Sequence, residues 1–123
     1  MIKLPLDSSQ GWGGKGRVTL VGDAAHAMRP SNGMGASMAF EDVVVLCRCL
    51  AEEIEKTAET GAIAGSDRKS PLSMASTLRR YETSRYDRVK RIWDMEWEVA
   101  ESAYRKERIK LTPEFHQWVM EGV

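Results

Sequence analysis

Residues 17–46 read RVTLVGDAAHAMRPSNGMGASMAFEDVVVL, and the fold turns on how this stretch is divided. Arg17-Val18-Thr19-Leu20-Val21 is a short β-branched run halted by Gly22, the pattern of a buried strand that ends in a turn. Asp23 then stands at the carboxyl end of the expected strand, where open α/β sheets place their ligands and where a carboxylate accepts hydrogen bonds from sugar-like hydroxyls. Pro30 and the glycines Gly33 and Gly35 lead into a helix. Without a Cβ at Gly33 and Gly35, a flat ligand can approach the first backbone N–H groups, near Gly35 and Ala36, and these favour partial negative charge.

Gly22-Asp23-Ala24-Ala25-His26, then Pro30, then Gly33-Met34-Gly35, then Ala39, Glu41 and Asp42 resemble the second flavin-binding motif of the FAD-dependent aromatic-ring monooxygenases of the salicylate hydroxylase type. The resemblance implies that Asp23 holds the ribityl chain of FAD. It also implies that Gly22, Pro30, Gly33, Met34, Gly35 and Ala36 line the cofactor, with the helix start facing the pyrimidine edge of the flavin. Met34 stands where that family commonly carries glutamine, which leaves the role at this position to the backbone. The implied chemistry is hydroxylation of a small aromatic molecule with NAD(P)H as co-substrate of a complete enzyme. His26 belongs to the motif, but no catalytic residue is assigned.

At 123 residues the chain has room for one domain. The resemblance covers the last third or so of a complete flavin monooxygenase, so the expectation is a partial FAD-binding domain that does not catalyse alone. The expected fold is an α/β piece, mostly helical, from the C-terminal part of an FAD/NAD(P)-binding fold. One or two short strands precede a buried helix (17–56), a loop (61–73) and C-terminal helices, one long and one short (74–121). Eighteen basic and eighteen acidic residues balance, giving no support to a nucleic-acid partner. No apolar run approaches the roughly 20 residues of a membrane span, and an intracellular, cytoplasmic setting is expected. Cys47 and Cys49 lie two apart on a helix, point to different faces and read as structural thiols. No metal site is expected.

Outside the motif, Ile2–Leu6 reads as an edge strand because Pro5 cannot donate to a ladder. Gly11-Trp12-Gly13-Gly14-Lys15-Gly16 fits a dinucleotide fingerprint by letter, but it precedes a strand and opens no helix. It reads as a turn, with Trp12 as a packing residue. A helix is expected from Met34 to about Lys56, with Ala36, Ala39, Phe40, Val43, Val44, Cys47, Leu50, Ala51 and Ile54 as its apolar stripe. Val43, Val44 and Cys47 should then be nearly inaccessible, and Glu41 and Asp42 should serve the early helix as capping acids. A second helix should run from Met74 to about Lys110 with Leu78, Tyr81, Val89, Ile92, Trp93, Ala100 and Tyr104 on its apolar side. Its basic run from Arg79 to Arg91 reads as a solvated face, with a reach of Arg85 to Glu41 or Asp42 as the alternative. Thr112-Pro113 should open a last short helix that carries Phe115, Trp118 and Val119, on which His116 has an ordinary surface or packing role.

Two readings compete with the flavin half-site. Gly35-Ala36-Ser37-Met38-Ala39 approaches the elbow of a serine hydrolase. However, Ser37 does not sit on a tight strand-to-helix turn, and no acid stands ready to orient His116. The other is a non-catalytic helical piece that binds another chain through uncovered apolar surface, with self-association as its expected symptom.

Overall fold

The computed structural model describes Trp12 and residues 15–30, 33–59, 74–106 and 111–122. These residues form four helices: α1 (Asp23–His26), α2 (Met34–Glu59), α3 (Met74–Tyr104) and α4 (Pro113–Met120). Gly33, at φ +66°, delivers the chain into α2, whose 26 residues contain no proline and only one glycine, Gly35 near its start. At α4 the threonine cap forms as the sequence requires. Thr112 Oγ1 accepts from the N–H of Phe115 at 3.2 Å, and Pro113 occupies the first turn, where its missing N–H costs nothing.

The core lies along the α2–α3 seam. Met38, Val45 and Cys49 of α2 meet Tyr81, Val89 and Ile92 of α3, with Trp12 and Ala25 closing one end. Trp12 is buried edge-on against His26 and Tyr81, with ring centroids 5.7 and 5.6 Å away. It is a packing residue, as expected.

No strand is present among the described residues, which corrects the expectation for residues 17–21. Among the described residues no neighbouring strand lies there to form a ladder, and side chains of α3 take the backbone acceptors instead. Arg79 donates to the Val18 carbonyl at 2.8 Å and Tyr81 to that of Leu20 at 3.3 Å. Thr19 Oγ1 donates to Glu82 at 2.6 Å. Leu20 and Val21 still pack on the core, while Val18 is exposed. The proposed edge strand at residues 2–6 and the loop at 61–73 fall outside the described residues.

The buried face of α2 also differs from expectation. Met38, Asp42, Val45 and Cys49 face inward, at steps of four, three and four. Phe40 is 74% exposed, Val43 49% and Val44 48%, and Cys47 is exposed too. The reading failed because it excluded a charged residue from the interior. Once Asp42 is placed inside, helical periodicity turns Val43, Val44 and Cys47 away. On α3, Leu78, Tyr81, Val89, Ile92 and Trp93 are buried as expected, but Tyr104 is 92% exposed.

Candidate functional site

Gly22 is the pivot of the site. It adopts φ +59°, a left-handed value that suits glycine, and a Cβ there would stand 3.1 Å from Ala39 Cβ on α2. Its carbonyl accepts from Ala25 N–H at 2.8 Å and His26 N–H at 2.9 Å, and these bonds close α1. Asp23, first in α1, therefore leaves the turn with its side chain exposed. A Cβ on Gly35 would lie 3.8 Å from Asp23 Oδ1, so the carboxylate stands beside the start of α2. A Cβ at position 35 would meet the acid in ordinary van der Waals contact, and the N–H groups of the first helical turn have no partner within the helix.

Behind this exposed edge is a cluster of charges that is almost closed to solvent. Asp42 Oδ2 accepts from the N–H of Gly22 at 2.9 Å and from His26 Nε2 at 2.7 Å. Its Oδ1 accepts from Arg85 Nε at 2.8 Å. The side chains of His26, Asp42 and Arg85 are all 0% exposed. Arg85 also donates to Glu41 at 2.9 Å, and Arg88 clasps the same carboxylate through two nitrogens at 2.7 and 2.8 Å. Arg88 then reaches the carbonyls of Trp118 and Val119 in α4 at 3.3 and 2.9 Å. Arg91 lies 4.0 Å over the Trp118 ring, a cation–π contact that adds to the anchoring of α4.

This geometry corrects two expectations. The basic run on α3 is not simply a solvated face, since Arg85 is fully buried and Arg88 nearly so. Glu41 and Asp42 do not cap α2; they receive α3 and the Gly22 turn. Burial alone would raise the Asp42 carboxyl, but hydrogen bonds from His26, the Gly22 N–H and Arg85 outweigh it and hold the group below the ordinary carboxylate value. Glu41 behaves alike, with Arg88 and Arg85 overcoming desolvation. Burial, followed by the nearby Asp42 charge, pushes the Tyr81 hydroxyl far above its ordinary value.

Of the residues singled out in the sequence, the structure draws Gly22, Asp23 and Gly35 together. Gly33 and Ala36 are exposed beside them, and Met34 opens α2 half-buried against the core. Pro30 is exposed on the segment between α1 and α2. Sequence reasoning missed His26 and Asp42 as partners. The signal was an acid placed four residues after Met38 and three before Val45, in phase with the buried face. A hollow of about 590 Å³ between α3 and α4 is lined by Asp87, Arg91, Met95 and Phe115 among others and includes no motif residue. It is not the site. No group of metal-ligating side chains occurs among the described residues, and no helix among them is long and apolar enough to cross a membrane.

The structure thus places an exposed carboxylate, Asp23, beside the start of α2. Comparison with known proteins shows the family. The chain belongs to the FAD-binding domain family, which it matches over residues 13–95. It is similar to chloroplastic zeaxanthin epoxidases: 47% identical over 76 residues to that of Oryza sativa subsp. japonica, and 45% to those of Nicotiana plumbaginifolia and Arabidopsis thaliana. Each match covers 62% of this chain and 10% of the relative, so the chain spans about a tenth of the length of these proteins. No solved structure matches. An exposed acid beside the start of α2 is chemically compatible with the FAD that this family binds.

Proposed function

We propose that these residues form the flavin-ring end of the FAD site in an FAD-dependent monooxygenase acting on an aromatic or similar small molecule, with NAD(P)H as co-substrate. In this reading Asp23 accepts a hydrogen bond from the ribityl chain. The N–H groups near Gly35 and Ala36 meet the electron-rich pyrimidine edge, where negative charge gathers on reduction. Gly22 shapes the turn, and Pro30, Gly33 and Met34 border the cofactor through backbone. Bound FAD supplies the oxygen-transfer chemistry; the chain's own residues bind it, orient it and favour its charge. The observation that carries the reading is the position of the Asp23 carboxylate, 3.8 Å from where a Gly35 Cβ would stand. That the relatives are zeaxanthin epoxidases supports insertion of oxygen into the substrate. Their chloroplast designation fits an intracellular setting.

The grip on the pyrophosphate and adenosine belongs, in this reading, to polypeptide other than these residues, because the sequence has no glycine fingerprint that follows a strand and opens a helix. One carboxylate and one helix end contribute about 1 to 3 kcal/mol each, against roughly 4 to 15 kcal/mol of freedom lost on association. The chain alone should therefore bind FAD in the millimolar range or more weakly, and purify colourless. In a polypeptide carrying the rest of the domain, Asp23→Ala should weaken FAD by about 1.5 to 3 kcal/mol, the contribution of a hydrogen bond to a charged group. The exposed Asp87→Ala on α3 should leave affinity unchanged. Equal retention of flavin by both variants refutes the site.

A second reading, a non-catalytic helical piece that pairs with another chain, draws on the uncovered face of α2 at Phe40, Val43, Val44 and Ile54. Sedimentation of the chain at rising concentration separates the two readings. A monodisperse monomer counts against the second.

A further inference from the structure

We propose that His26 and Asp42 act together as positioning residues for the cofactor-facing turn, fixing Asp23 against the start of α2 without touching the ligand. The inference rests on the flavin-site reading and goes beyond it. That reading concerns the groups that meet the cofactor, whereas this one concerns how a fully buried pair sets their geometry.

Asp42 Oδ2 receives both ends of the α1 turn. The Gly22 N–H lies immediately before Asp23, and His26 Nε2 comes from the last residue of α1. Asp23 is therefore bracketed by two bonds to one oxygen, and that oxygen belongs to the helix whose first turn it faces. Arg85 fixes the other oxygen of Asp42, and Glu41 fixes Arg85, so the carboxylate cannot rotate to release the turn. Because Asp42 also accepts from the Gly22 N–H and Arg85, His26 Nε2 is the nitrogen that donates to it. His26 Nδ1 is buried and has no partner among the described residues. A ring buried only for packing would not need a polar edge, and leucine would fill its place without leaving an unsatisfied nitrogen. The imidazole is retained where its one satisfied nitrogen ties α1 to α2.

The test compares three variants made in a ¹⁵N-labelled polypeptide that carries this chain together with the rest of the domain. Asp42→Asn cannot satisfy Gly22, His26 and Arg85 together, because its amide nitrogen is a donor. His26→Gln keeps an N–H near the imidazole Nε2 position, and His26→Leu removes it. Val89→Ala, in the α3 core and away from the turn, controls for general loss of stability. Hydrogen exchange at the Gly22 amide and titration with FAD to a few millimolar, followed at the Asp23 and Gly35 amides, are read for each.

In Asp42→Asn, Gly22 exchange should rise about tenfold more than in Val89→Ala, the effect of one lost hydrogen bond. FAD-induced shifts at Asp23 and Gly35 should disappear in His26→Leu and persist in His26→Gln. This rescue also keeps the test decisive if Asp42→Asn does not fold. Gly22 exchange in a folded Asp42→Asn no faster than in Val89→Ala overturns the proposal, as do full FAD shifts in His26→Leu. Loss of the shifts in His26→Gln and His26→Leu alike overturns it too, by making the role one of shape. Absence of FAD shifts at Asp23 and Gly35 in the unmodified polypeptide that carries the rest of the domain overturns the flavin-site reading and this proposal with it. Shifts that are present but indifferent to position 26 overturn this proposal alone.

Discussion

Replacing Arg85 with methionine removes the guanidinium that joins α3 to α2 while keeping a long apolar stem. Four interactions go: those to Asp42 at 2.8 Å and Glu41 at 2.9 Å, and two marginal ones to the Met38 carbonyl at 3.5 Å and the Met38 sulfur at 3.9 Å. Glu41 keeps both of its bonds from Arg88, so the damage concentrates at Asp42, whose side chain is wholly buried. Breaking a buried pair by removing one partner costs about 3 to 5 kcal/mol. The donors left to Asp42, from Gly22 and His26, place this case near the lower end, at about 3 kcal/mol. Against a domain stability of about 5 to 15 kcal/mol, the thermal midpoint should fall by roughly 10 °C. The control is Lys90→Ala, which breaks an exposed i,i+4 pair with Asp94; such pairs are worth about 0.3 to 0.5 kcal/mol. Urea and thermal unfolding followed by circular dichroism measure both. If Arg85→Met costs no more than Lys90→Ala, the cluster is not what joins the two helices.

Val45→Asp should unfold the chain, since an unpaired charge on the α2–α3 seam costs several kcal/mol, whereas Val44→Asp, on the exposed side, should shift the midpoint by a degree or two. Thermal scans of the pair decide between the two faces. Asp42 and Glu41 titrate below their ordinary values, so their stabilisation is complete above the unfolded carboxylate range of about pH 4 to 4.5 and is lost as pH falls through the lower folded values. The midpoint should hold from about pH 8 to 5 and drop below about pH 4, and Arg85→Met should flatten that acid limb. An unchanged limb in Arg85→Met refutes the assignment. Arg88→Ala should free α4 by removing the bonds to the Trp118 and Val119 carbonyls. Amide exchange over residues 113–120 should then quicken while that of the α2 core does not.

What the sequence made legible was local. The turn at Gly22 and the helix start after Gly33 are legible because glycine positions at a turn carry a backbone requirement that survives without tertiary information. Thr112 and Pro113 were found for the same reason, since a cap is a property of four neighbouring residues. The strand at 17–21 was misread because β-propensity describes a fit to a neighbouring strand, and among the described residues α3 takes that place with Arg79 and Tyr81. The stripe on α2 was misread because hydropathy treats Asp42 as a surface residue. Its burial depends on Arg85, 43 positions away, and no periodicity within α2 contains that partner.

A buried ion pair can often be exchanged for apolar side chains at no loss of stability, which raises the question of why this one is charged. A leucine at position 42 with a methionine at 85 would fill the seam, but it would leave the Gly22 N–H and one His26 nitrogen buried without an acceptor, about 1 to 3 kcal/mol each. It would also release Glu41 from Arg85. Asp42 is therefore more than half of a pair. It is the single acceptor at which α1, the left-handed Gly22 turn and α3 all meet α2. Hydrophobic packing is non-directional and could hold these helices together without fixing where Asp23 points. Three hydrogen bonds converging on one carboxylate do fix it, and they do so at the turn that carries Asp23.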